Sequence, residues 1–207
     1  MRARLLLGGS LVLLTACASA PPVPPRFETA PCPEVKPAAE GEAVIAGFYE
    51  AFSRRDFRGM ACSYDPSIEF TDSIFGTLRG KRALAMWAML TSSGTDLTVQ
   101  ASQIRADGAE GHAHWDAEYT FPFLVFRNHV DNHIDATFEL RDGKIIRHTD
   151  VFDLQRWMGL ALWPLGGVIS EDTIRGSVQE RLDKFIAEHP EFQDAPVPAV
   201  PAAPATP

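Results

Sequence analysis

Four polar residues fall where a fold should hide them: Asp72, Asn132, His148 and Asp150. The segment Ile146-Arg147-His148-Thr149-Asp150-Val151-Phe152-Asp153 reads as a closing strand that runs into a helix. Alternate side chains of a strand share a face, so Ile146, His148, Asp150 and Phe152 point the same way, two apolar and two ionisable. A buried polar group needs a partner or a purpose. An aspartate in an apolar site has its pKa raised by desolvation, and an adjacent imidazole opposes that rise. Such a pair can share a proton and serve as general base and acid near neutral pH. Asp72, His148 and Asp150 are therefore the candidate catalytic residues. Tyr49, Trp87, Trp115, Tyr119 and Phe152 are the candidate pocket walls, with Asn132 as a polar contact, in the manner of an apolar small-molecule pocket with a few convergent polar groups. The competing assignment is structural: His148 and Asp150 bonding loops at the sheet's end, Asn132 satisfying a helix end, and Asp72 capping the turn into Phe75-Gly76.

The elements that must position these residues follow from periodicity. Ile45, Phe48, Tyr49 and Phe52 recur at i, i+3, i+4, i+7 and predict a helix over 40–55. Asp56 is a fitting N-cap for a short second helix carrying Phe57, Met60, Ala61 and Tyr64, which Asp65-Pro66 closes. Residues 67–73 alternate as a strand, 75–80 read as a loop, and 81–91 as a third helix with Ala83, Trp87 and Leu90 inward. Strands follow over 97–105, 111–121, 128–140 and 144–152, with hairpin signals at Asp107-Gly108 and Asp142-Gly143. Asp153 caps a helix to about Trp163, and Ser170 caps a last amphipathic helix with the stripe Ile174, Val178, Leu182 and Phe185. Helices first and then a run of antiparallel strands is an α+β pattern. The sheet should form a cone-shaped, curved antiparallel surface on about three N-terminal helices, followed by a C-terminal helical extension.

Asp72 before Phe75-Gly76, Leu78-Arg79-Gly80 leading into a helix, and a sheet that ends in His148-x-Asp150-x-Phe152-Asp153 give the chain a resemblance. It resembles the SnoaL-like branch of the nuclear-transport-factor-2-like superfamily, which includes ketosteroid isomerases, limonene-epoxide hydrolases and polyketide cyclases. The resemblance spans about residues 40–163. It implies that Asp72 stands where the isomerases keep their proton-shuttling base. Their oxyanion-hole tyrosine position holds Phe48, and their protonated acid falls at Ala136, so a developing enolate would lack that stabilisation. Asp150 resembles one aspartate of the epoxide hydrolases, whose Arg-x-Asp pair falls near His114-Trp115-Asp116, without the arginine. The cyclases ask only for an acid/base aspartate and a shaped apolar pocket. Fold does not fix function on such a scaffold. The competing class is a non-catalytic interaction module.

The opposite sheet face carries His112, His114, His129 and His133 with Asp116, Asp131 and Asp135. A hairpin around Leu124-Val125 would set His114 against Asp135 and Asp116 against His133 as cross-strand pairs. That face reads as solvated or as meeting a partner sheet. It leaves open a polar homodimer. The sharper alternative is a surface metal site, since imidazole suits zinc or copper, but no tight metal motif supports it; no metal is assigned, and no cofactor motif is present.

The ends address the domain. Residues 1–17 carry Arg2 and Arg4, an apolar run from Leu5 to Leu14 too short to span a bilayer, and Leu14-Thr15-Ala16-Cys17. This resembles a bacterial lipoprotein signal, which implies cleavage before Cys17 and its lipidation, or else an ordinary secretory signal cut nearby. Alanine after Cys17 implies the outer membrane, facing the periplasm in the cell envelope. Residues 18–39 form a proline-rich tether, 40–163 the domain, 164–190 its extension, and 191–207 a Pro/Ala tail. Without Arg2 and Arg4 the charge moves from −8 to −10, with 17 basic against 27 acidic residues. An acidic chain without a basic cluster excludes nucleic acid and leaves the lipid anchor as the membrane contact. Cys32 and Cys62 can pair outside the cytoplasm or stay separate thiols. The expected partner is a small apolar molecule.

Overall fold

A computed structural model describes Phe27, Cys32 and residues 41–93 and 96–193. The expected signal ending at Cys17, most of the tether and the tail beyond 193 lie outside the described residues. Among the described residues no helix is long and apolar enough to cross a membrane.

The apolar stripes become the inner faces of two helices. α1 (Gly41–Ser53) buries Ile45, Phe48, Tyr49 and Phe52. α2 (Phe57–Ser63) is capped by the Asp56 carboxylate, which accepts from the Gly59 amide. β1 (Tyr64–Asp72) and β2 (Gly76–Arg79) make a hairpin. α3 (Lys81–Ser92) then buries Ala83, Met86 and Trp87. β3 (Thr98–Asp107), β4 (Glu110–Phe123), β5 (Phe126–Arg141) and β6 (Lys144–Val151) form a long meander. α4 (Leu154–Ala161) and α5 (Glu171–Glu188) start on the side-chain caps Asp153 and Ser170. A 3₁₀ turn, Pro190–Phe192, closes the described chain. The sheet order is β2-β1-β6-β5-β4-β3. Its apolar face curls over α1 and α3, which gives the α+β cone.

Four local expectations are corrected. Tyr64 opens β1 rather than closing α2, and Asp65-Pro66 lies in the strand. A proline fits there because β1 has an irregular register with β6 between Tyr64 and Glu69. Residues 76–79 form edge strand β2 instead of staying a loop. The β1–β6 pairing is parallel, so the sheet is mixed. Ile145, fully buried, faces the core in place of Ile146, because β6 bulges between its pairings Glu139↔Arg147 and Leu140↔Ile145. The Asp142-Gly143 turn has positive φ at both positions, 52° and 71°, as a two-residue hairpin loop that follows the sheet's twist requires.

The extension folds back onto the domain. On α5, Arg175 Nε donates to the Ser73 carbonyl and Gln179 Nε2 to the Phe75 carbonyl, while Arg82 pairs with Asp183 at 2.6 Å. Phe27 packs into an aromatic cluster with Phe57, Phe185 and Phe192, at centroid distances of 5.2, 5.7 and 5.5 Å. Cys32 and Cys62 are disulfide-bonded. The tether is thus pinned to the domain at two points. Replacing both cysteines with serine frees a loop of sequence separation 30 and should cost up to roughly 3–4 kcal/mol by loop-closure entropy. Urea unfolding checks this; an unchanged midpoint would show that the bond does not constrain the unfolded chain.

Candidate functional site

The concave sheet face, α3, α4 and α5 enclose a cavity of about 560 Å³. Phe52, Phe70, Ile74, Met86, Leu97, Phe121 and Ile134 give it an apolar lining. Asp72, Trp87, Trp115, Tyr119, Asn132, Asp150 and Phe152 all reach it, as the alternation of their strands requires. Tyr49 and His148 do not. Both are buried behind the wall, because α1 packs flush against the sheet there.

His148 is fully buried and sits edge-on to Phe48 and Phe70, with Trp87 stacked at 6.0 Å. A buried imidazole in such a place needs partners on both nitrogens. Nδ1 lies 2.7 Å from the Tyr64 hydroxyl, and Nε2 lies 3.0 Å from Asp150 Oδ1. Trp87 Nε1 donates to the Tyr64 oxygen at 2.9 Å. An indole nitrogen can only donate, so the phenol must send its own proton to His148 Nδ1. His148 Nε2 then carries the ring proton and donates to Asp150. Trp115 Nε1 donates to the same Asp150 Oδ1 at 3.2 Å. Oδ2 accepts from no described residue and stays open to the cavity. His148 is therefore a positioning residue, which acts through Asp150 rather than on a ligand.

Asp72 does two things at once. Its Oδ1 accepts from the Ile74 amide at 2.9 Å and from the Phe75 amide, which caps the β1–β2 turn. The carboxyl also lines the cavity. Desolvation pushes its pKa up to about 7, and the charge of Asp150 adds to the rise against the backbone hydrogen bonds. The expected turn cap and the expected acid are one residue.

Asn132 is buried and lines the cavity, and its side chain makes no hydrogen bond to a described residue. The Tyr119 hydroxyl accepts from Trp157 Nε1 at 2.7 Å, and burial raises its pKa to about 12. The Tyr49 hydroxyl is buried with no hydrogen-bond partner among the described residues, and burial holds its pKa well above the usual phenol range. Sequence reasoning missed Tyr64, Trp157 and the rim residues Val178 and Arg181 of α5. The α5 stripe that contains Val178 was the available signal. Among the described residues one group of three metal-ligating side chains converges, His114, Asp116 and His133. It stands on the opposite sheet face, away from the cavity.

Residues 45–148, half of the chain, match the SnoaL-like domain family. The chain belongs to the SnoaL-like family. Solved structures share the fold of this SnoaL-like domain. A candidate polyketide cyclase from Pseudomonas putida is 16% identical with a TM-score of 0.51, covering 60% of this chain and 99% of that one. A candidate polyketide cyclase from Xanthomonas campestris is 21% identical with a TM-score of 0.50, covering 58% and 96%. An NTF2-like protein from Burkholderia pseudomallei is 16% identical with a TM-score of 0.50, covering 59% and 98%. No curated protein sequence matches the SnoaL-like chain.

Two outcomes follow from these surroundings. Between about pH 4 and pH 7 native Asp72 keeps a proton that the unfolded chain has lost. The native state then binds more protons at this group, so the contribution of Asp72 to stability falls as pH rises through this window, by less than about 1.4 kcal/mol per pH unit. Asp72→Asn keeps the turn cap and should flatten that slope, as read from urea midpoints across the range. Tyr49→Phe removes an unpartnered buried hydroxyl and should leave stability equal or higher by up to about 2 kcal/mol. A loss of about 1 kcal/mol in thermal unfolding would show that the hydroxyl is bonded in solution.

Proposed function

We propose that the SnoaL-like domain binds a small, mostly apolar molecule in its cavity and that Asp72 and Asp150 move a proton on it. The observation that carries this reading is the pair of carboxylates on β1 and β6 that line one apolar chamber, with Asp72 pushed up to about 7. A carboxyl half-protonated near neutral pH can give or take a proton there. Asp150, oriented by His148 and Trp115, offers its free oxygen to the ligand. The tightly aromatic walls fit a flat or cyclic carbon skeleton, and Asn132 supplies a polar contact at its edge. Proton transfer of the isomerase, cyclase or hydrolase type suits this set. The candidate cyclases that share the fold are compatible with it.

The domain is proposed to work in the bacterial envelope, lipidated at Cys17 and facing the periplasm. The signal-like residues 1–17 support this. So does the Cys32–Cys62 bond, since disulfides persist outside the reducing cytoplasm. Labelled palmitate should enter the wild type in its host and not a Cys17→Ala variant; equal labelling would refute lipidation there.

Native mass spectrometry of the protein purified from its host should show a retained small molecule. Ala117→Trp, which fills the cavity from β4, should release it. Asp72→Asn and Asp150→Asn should keep the molecule bound and slow its conversion by about 10²–10⁴-fold. Wild-type turnover in both variants would remove the acid/base part. A cavity that stays empty across a lipid and metabolite panel would remove the binding part.

A further inference from the structure

The outer face of the sheet holds a constellation that the cavity does not use. β4 and β5 pair with His114 opposite Asp135 and Asp116 opposite His133. This places two imidazoles and three carboxylates, counting Asp131, on one side of two neighbouring strands. Two ring nitrogens aim at a single oxygen. His114 Nε2 is 3.4 Å from Asp116 Oδ1, and His133 Nδ1 is 2.5 Å from it. One ligand atom from each of the three residues fits within 4.8 Å of the others.

Those spacings are close to a coordination polyhedron. Two ligands on a tetrahedral zinc, with bonds of about 2.0–2.1 Å, lie roughly 3.3 Å apart. His114 and Asp116 already have that separation. His133 must withdraw from Asp116 by about 1 Å, which a half-exposed ring on a strand can do by a side-chain rotation.

One carboxylate already stands behind a ring as an outer acceptor. His114 Nδ1 lies 2.8 Å from Asp135 Oδ1, and His133 Nε2 lies 3.7 Å from Asp131 Oδ2. Asp131 is held in turn by Arg156 at 2.8 Å. The His114 ring therefore has one nitrogen toward the shared centre and the other hydrogen-bonded to a carboxylate behind it, while the second nitrogen of His133 is beyond hydrogen-bond reach of Asp131. Metal-ligating histidines are oriented in this way by outer carboxylates. A cross-strand ladder of His–Asp pairs does not need the two rings to converge on one shared oxygen.

We propose that His114, Asp116 and His133 form a facial site for a borderline divalent cation, zinc or copper(II), with Asp135 as the outer acceptor. Imidazole and carboxylate ligands suit both ions. Three protein ligands leave at least one position to water or to a donor from another molecule.

Zinc chloride titrated calorimetrically into the EDTA-stripped full chain should show one ion per chain, with a dissociation constant of about 10 μM or tighter. His114→Ala and His133→Ala, at sites exposed enough to leave folding intact by circular dichroism, should each weaken binding by at least about 100-fold. Asp135→Ala removes only the acceptor behind His114 and should weaken it roughly 10- to 100-fold. Asp150→Asn, in the cavity, should leave zinc affinity unchanged, which separates this site from the proposed proton chemistry. Copper(II) loaded in place of zinc should show coupling to two imidazole nitrogens by electron paramagnetic resonance, and to one in His133→Ala. Zinc binding that survives the His114→Ala/His133→Ala pair, or no binding at 100 μM, overturns the proposal.

Discussion

The organisation of this fold rests on one requirement: an imidazole with no solvent contact must have both nitrogens partnered. His148 meets it with Tyr64 on one side and Asp150 on the other. Trp87 and Trp115 supply the remaining donors, so four elements (β1, α3, β4 and β6) are tied through a single chain of hydrogen bonds. Both nitrogens of the imidazole are satisfied, and a polar network of this kind specifies one arrangement where an apolar core would tolerate several. Phe48, Phe70 and Phe138 pack around the ring at centroid distances of 5.4, 5.2 and 4.4 Å. The aromatic core is thus fixed in angle as well as in composition. One oxygen of Asp150 is held at the cavity wall as the end of that chain.

The cavity exists because the sheet curls away from the helices faster than the side chains fill the gap. Small residues on the concave strands leave room, with Ala117 at the wall and Ala113 and Ala136 deeper on the same face. The far side is closed by α4 and α5 rather than by the sheet. Trp157 and Phe152 come from the segment after β6, and Val178 and Arg181 from the extension. The extension is therefore a wall of the chamber. It is held by hydrogen bonds to the carbonyls of Ser73 and Phe75, in the turn that Asp72 caps.

The periodic parts of the chain were legible in its sequence. Strict alternation in β4 and β5 fixed which residues face the chamber and paired His114 with Asp135 and Asp116 with His133 across the hairpin. Asp72 was identifiable both as a turn cap and as a cavity acid. What failed was local and has a common cause. The bulge at Ile146 inverts side-chain direction without any compositional mark, and the strand start at Tyr64 was hidden by a helical spacing from Phe57. His148 was placed on the right face but one layer too shallow, because periodicity gives direction and not depth. Tyr64 and α5 contribute through tertiary contacts that no sequence window contains.

The aromatic knot around Phe27 sets a length scale. In the envelope arrangement proposed above, with a lipid at Cys17, only ten residue steps lead to the clamp of Phe27 against Phe57 and Phe192. A fully extended segment of that size spans at most about 35 Å. The proline-rich stretch beyond it, which on composition alone would let the domain roam, adds nothing to its range, because Cys32 is bonded back to Cys62. Under that proposal the domain is on a short leash, and a molecule that enters its chamber is met close to the bilayer.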